Sequence, residues 1–189
     1  MSADLPTITV SSGRRLACIP AAILAFIVNA DERMLMLAHP NSGGRWEVIN
    51  GALEHGETLL AGCLREIREE AGGQIQVRPL SLLHGYSCPY DENVLHMLSL
   101  CYVLAYEGGD VIPGDDMANS QVRWVSADEI ARGEVDVIMP RDVPWLFERA
   151  IELYRLLKDR PLAIHQPQYD SIPPRKYPKQ QATVRDTES

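Results

Sequence analysis

An α+β fold is predicted by three features of this chain. Apolar runs at 22–28, 34–38 and 94–106 have the character of buried strands. Between them, Leu60, Cys63, Leu64, Ile67 and Ala71 recur three or four positions apart, the period of an amphipathic helix over 58–71. The same period returns in Leu146, Phe147, Ala150, Ile151, Tyr154 and Leu157, which predicts a helix over 144–157 covering one face of a sheet.

The elements follow in order. Segments 7–10 and 14–18 flank Ser11-Ser12-Gly13, a turn signal, and predict a short hairpin or edge strand. Arg14 and Arg15 before the apolar run 16–28 imitate a signal peptide. Pro20 interrupts that run, Asp4 lies upstream and the stretch is too short to span a bilayer, so a buried strand is expected. Runs 22–28 and 34–38 read as paired core strands across the turn 29–33. The loop 39–44, rich in Pro, Asn, Ser and Gly, leads into 45–49, a short strand feeding a glycine-bearing loop.

Beyond the first helix, 75–77 and 80–84 read as strand, 85–93 as a loop with aromatic and acidic side chains, and 94–106 as a central strand. A Gly/Pro/Asp-rich loop, 108–117, precedes the strand 122–125. Ser126, with Glu129 three residues on, has the spacing of a helix capping box. From 161 onward Pro161, Pro167, Pro173, Pro174 and Pro178 accompany polar and basic residues without apolar periodicity. One domain is therefore expected over 1–160, with a proline-rich tail over 161–189 that is disordered or loosely packed.

Composition narrows the function. With 189 residues, 46% of them hydrophobic, the chain supports one substantial core. Its formal net charge of −8 argues against a dedicated nucleic-acid surface, and nothing in it reads as a membrane segment. Cys18, Cys63, Cys88 and Cys101 lack C-x-x-C spacing, and three of them sit in apolar surroundings. They read as free thiols in a reducing, cytoplasmic compartment.

The chemistry concentrates in 51–73. Glu66 and Glu70 are four apart and Glu69 is three from Glu66, so the three carboxylates project from neighbouring positions of the first helix and repel one another unless a cation is present. Hard divalent metals take oxygen ligands and keep several waters, which suits a site shared by carboxylates, water and phosphate. Glu57 lies at the helix entrance, placed to join the cluster or pair with Arg65. Gly51 and Gly56 let the preceding loop turn sharply and lie close to the helix.

The string fits G-x5-E-x7-R-E-U-x-E-E-x-G, U being aliphatic, and here the sequence resembles the Nudix hydrolase family. The resemblance implies an α/β/α sandwich with a mixed β-sheet and a hydrolase of nucleoside diphosphate derivatives dependent on Mg2+ or Mn2+. It carries Glu66, Glu69 and Glu70 over as metal ligands or catalytic base, Glu57 as an accessory and Arg65 as the residue orienting them. Two positions depart from the family pattern: Gly73, where an aliphatic residue is usual, and Asn50, where a glycine often precedes Gly51. Gly51, Trp46 and Tyr90 are the candidate substrate contacts, Trp46 by stacking on a base, with Glu47 and His39 behind them. The acidic residue that such proteins often supply before the strand at 122–125 is missing, since Asn119, Ser120 and Gln121 stand there. Asp115, Asp116, Glu92 or the box carboxylates alone remain for that role.

Adjacent Pro89 and Tyr90 tilt the resemblance towards ADP-ribose or a nucleotide sugar, ahead of a nucleoside triphosphate or a dinucleoside polyphosphate. A nucleotide-sensing domain without turnover is the rival reading, weakened because all four box glutamates are present. In several such enzymes an N-terminal strand contributes to a homodimer, the oligomer to test for here.

Overall fold

The computed structural model describes residues 6–140 and 144–160. The expected tail over 161–189 lies outside the described residues.

Two strands, β1 (Thr7–Thr9) and β2 (Arg15–Ala17), form the expected hairpin as a separate antiparallel pair, exposed throughout. The main sheet is built on β3 (Ala21–Val28), whose last six residues are buried. Its continuous apolar sequence follows from burial on both faces. Ile23, Ala25 and Ile27 join one core cluster, and Leu24, Phe26 and Val28 join the other.

Around β3 lie β4 (Met34–Ala38), β5 (Trp46–Glu47), β6 (Ile49–Ala52), β7 (Gln76–Cys88), β8 (Met97–Gly108), β9 (Gln121–Val125) and β10 (Val137–Met139). The order is β10-β5-β4-β3-β8-β7, with β6 also pairing β3 and β9 pairing β4. The β3–β8 and β10–β5 pairs are parallel and the others antiparallel, so the sheet is mixed.

Each face is covered by a helix. Cys63, Ile67 and Ala71 of α1 (Leu59–Ala71) pack on Ile23, Ala25 and Ile27, while Leu146, Phe147, Ala150, Ile151 and Tyr154 of α3 (Trp145–Leu157) pack on the opposite face. Phe26 and Phe147 meet edge to face at 5.3 Å. The layers are those of an α/β/α sandwich. The short α2 (Ala127–Ala131) carries the capping box expected from sequence: Ser126 Oγ accepts from the Glu129 amide at 3.2 Å, and Glu129 Oε2 accepts from the Ser126 amide at 2.8 Å.

Several boundaries move. The strand read at 45–49 is two short strands, and Gly51 lies within β6, opposite Ile23, rather than in a turn. β7 continues through Cys88, so the loop expected from 85 starts at Pro89. As an edge strand, β7 also tolerates Pro79, where its register with β8 shifts. The three-residue β10 and a 3-10 turn at Asp115–Met117 were not read from sequence at all. All four cysteines are free, but only Cys63 and Cys101 are buried; Cys88 is half-buried and Cys18 exposed. Among the described residues no helix is long and apolar enough to cross a membrane.

Candidate active site

Thr58 starts the acidic helix by accepting the Ala61 amide proton on its hydroxyl at 3.2 Å, and Gly72 ends it at φ +92°. An added Cβ at Gly72 would meet the Ile112 carbonyl oxygen at 2.6 Å. The segment after β8 needs that close approach, because it takes up carbonyls left free at the helix end: the Ile112 amide donates to Ala71 O at 2.9 Å and the Gly114 amide to Glu70 O at 3.3 Å. The 3-10 turn carrying Asp116 is thereby strapped to the last turn of α1.

On the helix, Glu66 and Glu70 face inward, 9% and 8% exposed. Gly51 makes room for the first. A Cβ at that position would collide with all three carboxyl atoms of Glu66, so the glycine serves close packing rather than a sharp turn. The Asn50 amide donates to Glu70 Oε2 at 3.2 Å, and the Asn50 side-chain Nδ2 donates to Glu47 Oε2 at 3.1 Å and Val48 O at 2.9 Å.

Arg65 gathers the remaining carboxylates. Its Nε donates to Glu57 Oε1 at 2.8 Å, Nη1 reaches Glu69 Oε2 at 2.7 Å and Glu66 Oε1 at 2.9 Å, and Nη2 donates to Ala52 O at 2.8 Å. Glu57 in turn accepts from the Glu54 amide at 3.0 Å, and Gly62 lets this loop rest on the helix, with Glu57 Oε2 only 3.0 Å from where a Cβ would stand. The guanidinium fork fixes four acceptors at once, a task a point charge cannot perform.

Electrostatically the site is short of positive charge. Burial pushes the Glu70 carboxyl up to about 8 against the opposing Asn50 amide bond, and Glu47, Glu66 and Asp116 raise it further. Glu66 is also raised, first by burial and then by Glu69 and Asp116, with Arg65 pulling the other way. Glu57 is lowered, chiefly by its bond to Arg65.

Buried carboxylates that repel one another offer hard oxygen donors, and that chemistry fits a magnesium- or manganese-type cation. Glu66 and Glu70, with Glu69 beside them, are the residues that would hold it. In the present arrangement no three His, Cys, Asp or Glu side chains among the described residues stand ready to hold a metal ion, and Arg65 engages Glu57, Glu66 and Glu69.

The predicted residues separate into groups. Glu57, Arg65, Glu66, Glu69, Glu70 and Gly51 come together. Asp116 joins them, acting on both Glu66 and Glu70, while Glu92 is exposed in the loop beyond β7. Tyr90 lines a partly open cavity that also includes Asn50, Tyr86, Cys88 and Met139. Trp46 lies outside it, half-buried against the core on the α3 side with the Arg123 guanidinium 6.0 Å from its ring centroid. His39 serves its own turn, accepting the Asn41 amide proton at 3.0 Å. Sequence reasoning underrated Glu47 and did not foresee the bridging role of Asn50. The one signal for Asn50 was that it stood where a glycine is usual.

The chain belongs to the Nudix family: the family model described as NUDIX domain matches residues 19–146. It is 32% identical over 109 residues to an ADP-ribose pyrophosphatase of Methanocaldococcus jannaschii, a match covering 57% of this chain and 63% of that protein. It is 29% identical over 112 residues to the NAD-capped RNA hydrolase NudC of Photobacterium profundum, covering 59% of this chain and 39% of that protein. The chain thus spans less than two thirds of the length of either relative. Among solved structures, the MutT protein of Methanosarcina mazei superposes with a TM-score of 0.56 at 21% identity, over 71% of this chain and 94% of that one, a likeness of fold alone.

Proposed function

We propose that this chain hydrolyses the diphosphate linkage of a nucleoside diphosphate derivative, ADP-ribose or a nucleotide sugar, with a divalent cation, Mg2+ or Mn2+. The observation that carries this reading is the buried pair Glu66 and Glu70: Glu66 packs against Gly51 and must share Arg65 with Glu57 and Glu69, and Glu70 has no ion pair among the described residues. When bound, the cation supplies positive charge to the phosphate oxygens as negative charge builds on them.

The protein's own groups do the rest. Glu66 and Glu70 would hold the cation from buried positions, and Glu69, whose side chain is 40% exposed, would complete the carboxylate edge. Glu69 or Glu66 accepts a proton from the attacking water. Arg65 holds both against drift, and Glu57 holds Arg65. The water oxygen adds to one phosphorus and the bridging P–O bond breaks, so a nucleoside monophosphate leaves one side and a second phosphate ester the other. Gly51 positions Glu66, and Tyr90 contacts substrate from the cavity.

Similarity to an ADP-ribose pyrophosphatase supports this choice of substrate. NAD-capped RNA, the substrate in the other relative's name, is disfavoured by the net charge of −8. The test is product analysis with ADP-ribose, nucleotide sugars, nucleoside triphosphates, diadenosine polyphosphates and NAD-capped RNA, with Mg2+ and then with chelator. AMP and ribose 5-phosphate, formed from ADP-ribose only without chelator, are expected. Cleavage that persists in chelator, or none of any substrate, refutes the proposal.

A further inference from the structure

The cavity that Asn50 borders, lined from β3, β6, β7, β8 and β10, is apolar except at a few points. Tyr86, Pro89, Tyr90, Met97 and Met139 supply flat and adaptable apolar surface, and the Tyr86 hydroxyl is engaged by Ser99. Asn50 is different. Both acceptors of its Nδ2 protons are oxygens that cannot donate, a Glu47 carboxylate and the Val48 carbonyl, at 3.1 and 2.9 Å. The carboxamide therefore cannot turn over without losing two hydrogen bonds, and the polar function left to its side chain is the acceptor Oδ1. That oxygen has no partner among the described residues. Its backbone is fixed as well, because β6 pairs Asn50 with Leu24 and the Asn50 amide is bound to Glu70.

We propose that this cavity receives the nucleobase of the substrate and that Asn50 is its specificity-determining residue, selecting through Oδ1 a base that offers an amino group, as adenine does. The proposal rests on the hydrolase reading above for its ligand class. Glu47 acts here as a positioning residue: by accepting from Nδ2 it turns the acceptor, not the donor, of Asn50 towards a ligand. Because Asn50 bonds Glu70 through its backbone and lines the cavity, base recognition and the carboxylate cluster share one residue.

A neutral hydrogen bond of this kind corresponds to about a threefold to tenfold change in affinity. The experiment is equilibrium binding in chelator, where no turnover is expected, of ADP-ribose and of its analogue bearing unsubstituted purine, to the wild-type chain and to Asn50→Leu. The wild type should bind ADP-ribose about threefold to tenfold more tightly than the purine analogue. Asn50→Leu should lose that preference while binding the analogue as the wild type does. Equal wild-type affinities, a preference retained in N50L, or no binding of either ligand overturns the proposal, the first without reference to the variant's folding. Binding with the expected preference but no turnover on adding Mg2+ leaves it standing and removes the hydrolase reading.

Discussion

Gly51→Ala should separate activity from folding in this protein. Gly51 sits in a strand at an ordinary φ, so alanine meets no backbone strain; the obstacle is steric. The new Cβ would stand more than an ångström inside the roughly 3.5 Å of normal contact with the Glu66 carboxyl. Because the colliding atoms end a flexible side chain, Glu66 gives way rather than the β3–β6 pairing. Overpacking of this kind costs about 1–3 kcal/mol, and a yielding side chain places the change at the lower end. Activity has no such relief, since the displaced carboxylate leaves the position where it would hold a cation or take a proton. Its loss should lower kcat/KM on the order of 10²-fold or more. The assay pairs kcat/KM on ADP-ribose with urea unfolding. Gly109→Ala is the control: Gly109 has φ +85° and a Cβ there would strike the Gln74 backbone, so it should cost stability and leave turnover per folded molecule near wild type. Near-wild-type turnover in G51A would refute the reasoning.

Four further outcomes are expected. Burial pushes Glu70 up to about 8 from 4.5, so between those values the native state binds more protons than the unfolded one and stability in chelator falls as pH rises; Glu70→Gln should shrink that fall, leaving the share of Glu66, which is raised too, and abolish most turnover, read by unfolding at pH 5 and pH 8.5 and by kcat. Glu129 has the opposite sign: the Ser126 amide foremost, then the Ser126 hydroxyl, Arg123 and Arg33, hold it down at about 2, so its stabilising contribution is present above pH 4.5 and lost as pH falls towards 2, and Glu129→Gln should flatten the acid unfolding curve there. Arg65→Lys keeps a charge but cannot hold Glu57, Glu66, Glu69 and Ala52 O together, and should lower kcat/KM by roughly tenfold to a hundredfold with a smaller change in melting temperature. Asp116→Asn should weaken activation by Mg2+ in a titration of initial rate, while Asp115→Asn should change it little.

What the sequence makes legible is local. The spacing of Glu66, Glu69 and Glu70 on one helix, the Arg65–Glu69 pair and the Ser126–Glu129 cap all depend on residues within two turns of each other, and periodicity reports such relations directly. Both faces of β3 are likewise written in its uninterrupted apolar run. Asp116 was not distinguishable from Asp115, because its place depends on carbonyls at the end of α1, some 45 residues away, capturing the Ile112 and Gly114 amides. Asn50 and Glu47 acquire their roles only when β6 registers against β3 and β5 against β4. β10 is three residues long, too short for any period, and forms because β5 offers it an edge. Trp46 illustrates the reverse: next to a predicted site in sequence, it faces the α3 core because neighbouring strand residues point to opposite sides.

The central claim is that the buried carboxylates of α1 are a divalent cation site. Thermal unfolding of the wild-type chain and of Glu66→Gln and Glu70→Gln, across a Mg2+ titration and back into chelator, tests it most directly, since a ligand that binds the native state raises Tm with concentration. The account predicts a chelator-reversible rise in the wild type that is largely lost in both variants. A flat wild-type response, or a rise undiminished in both variants, would contradict it.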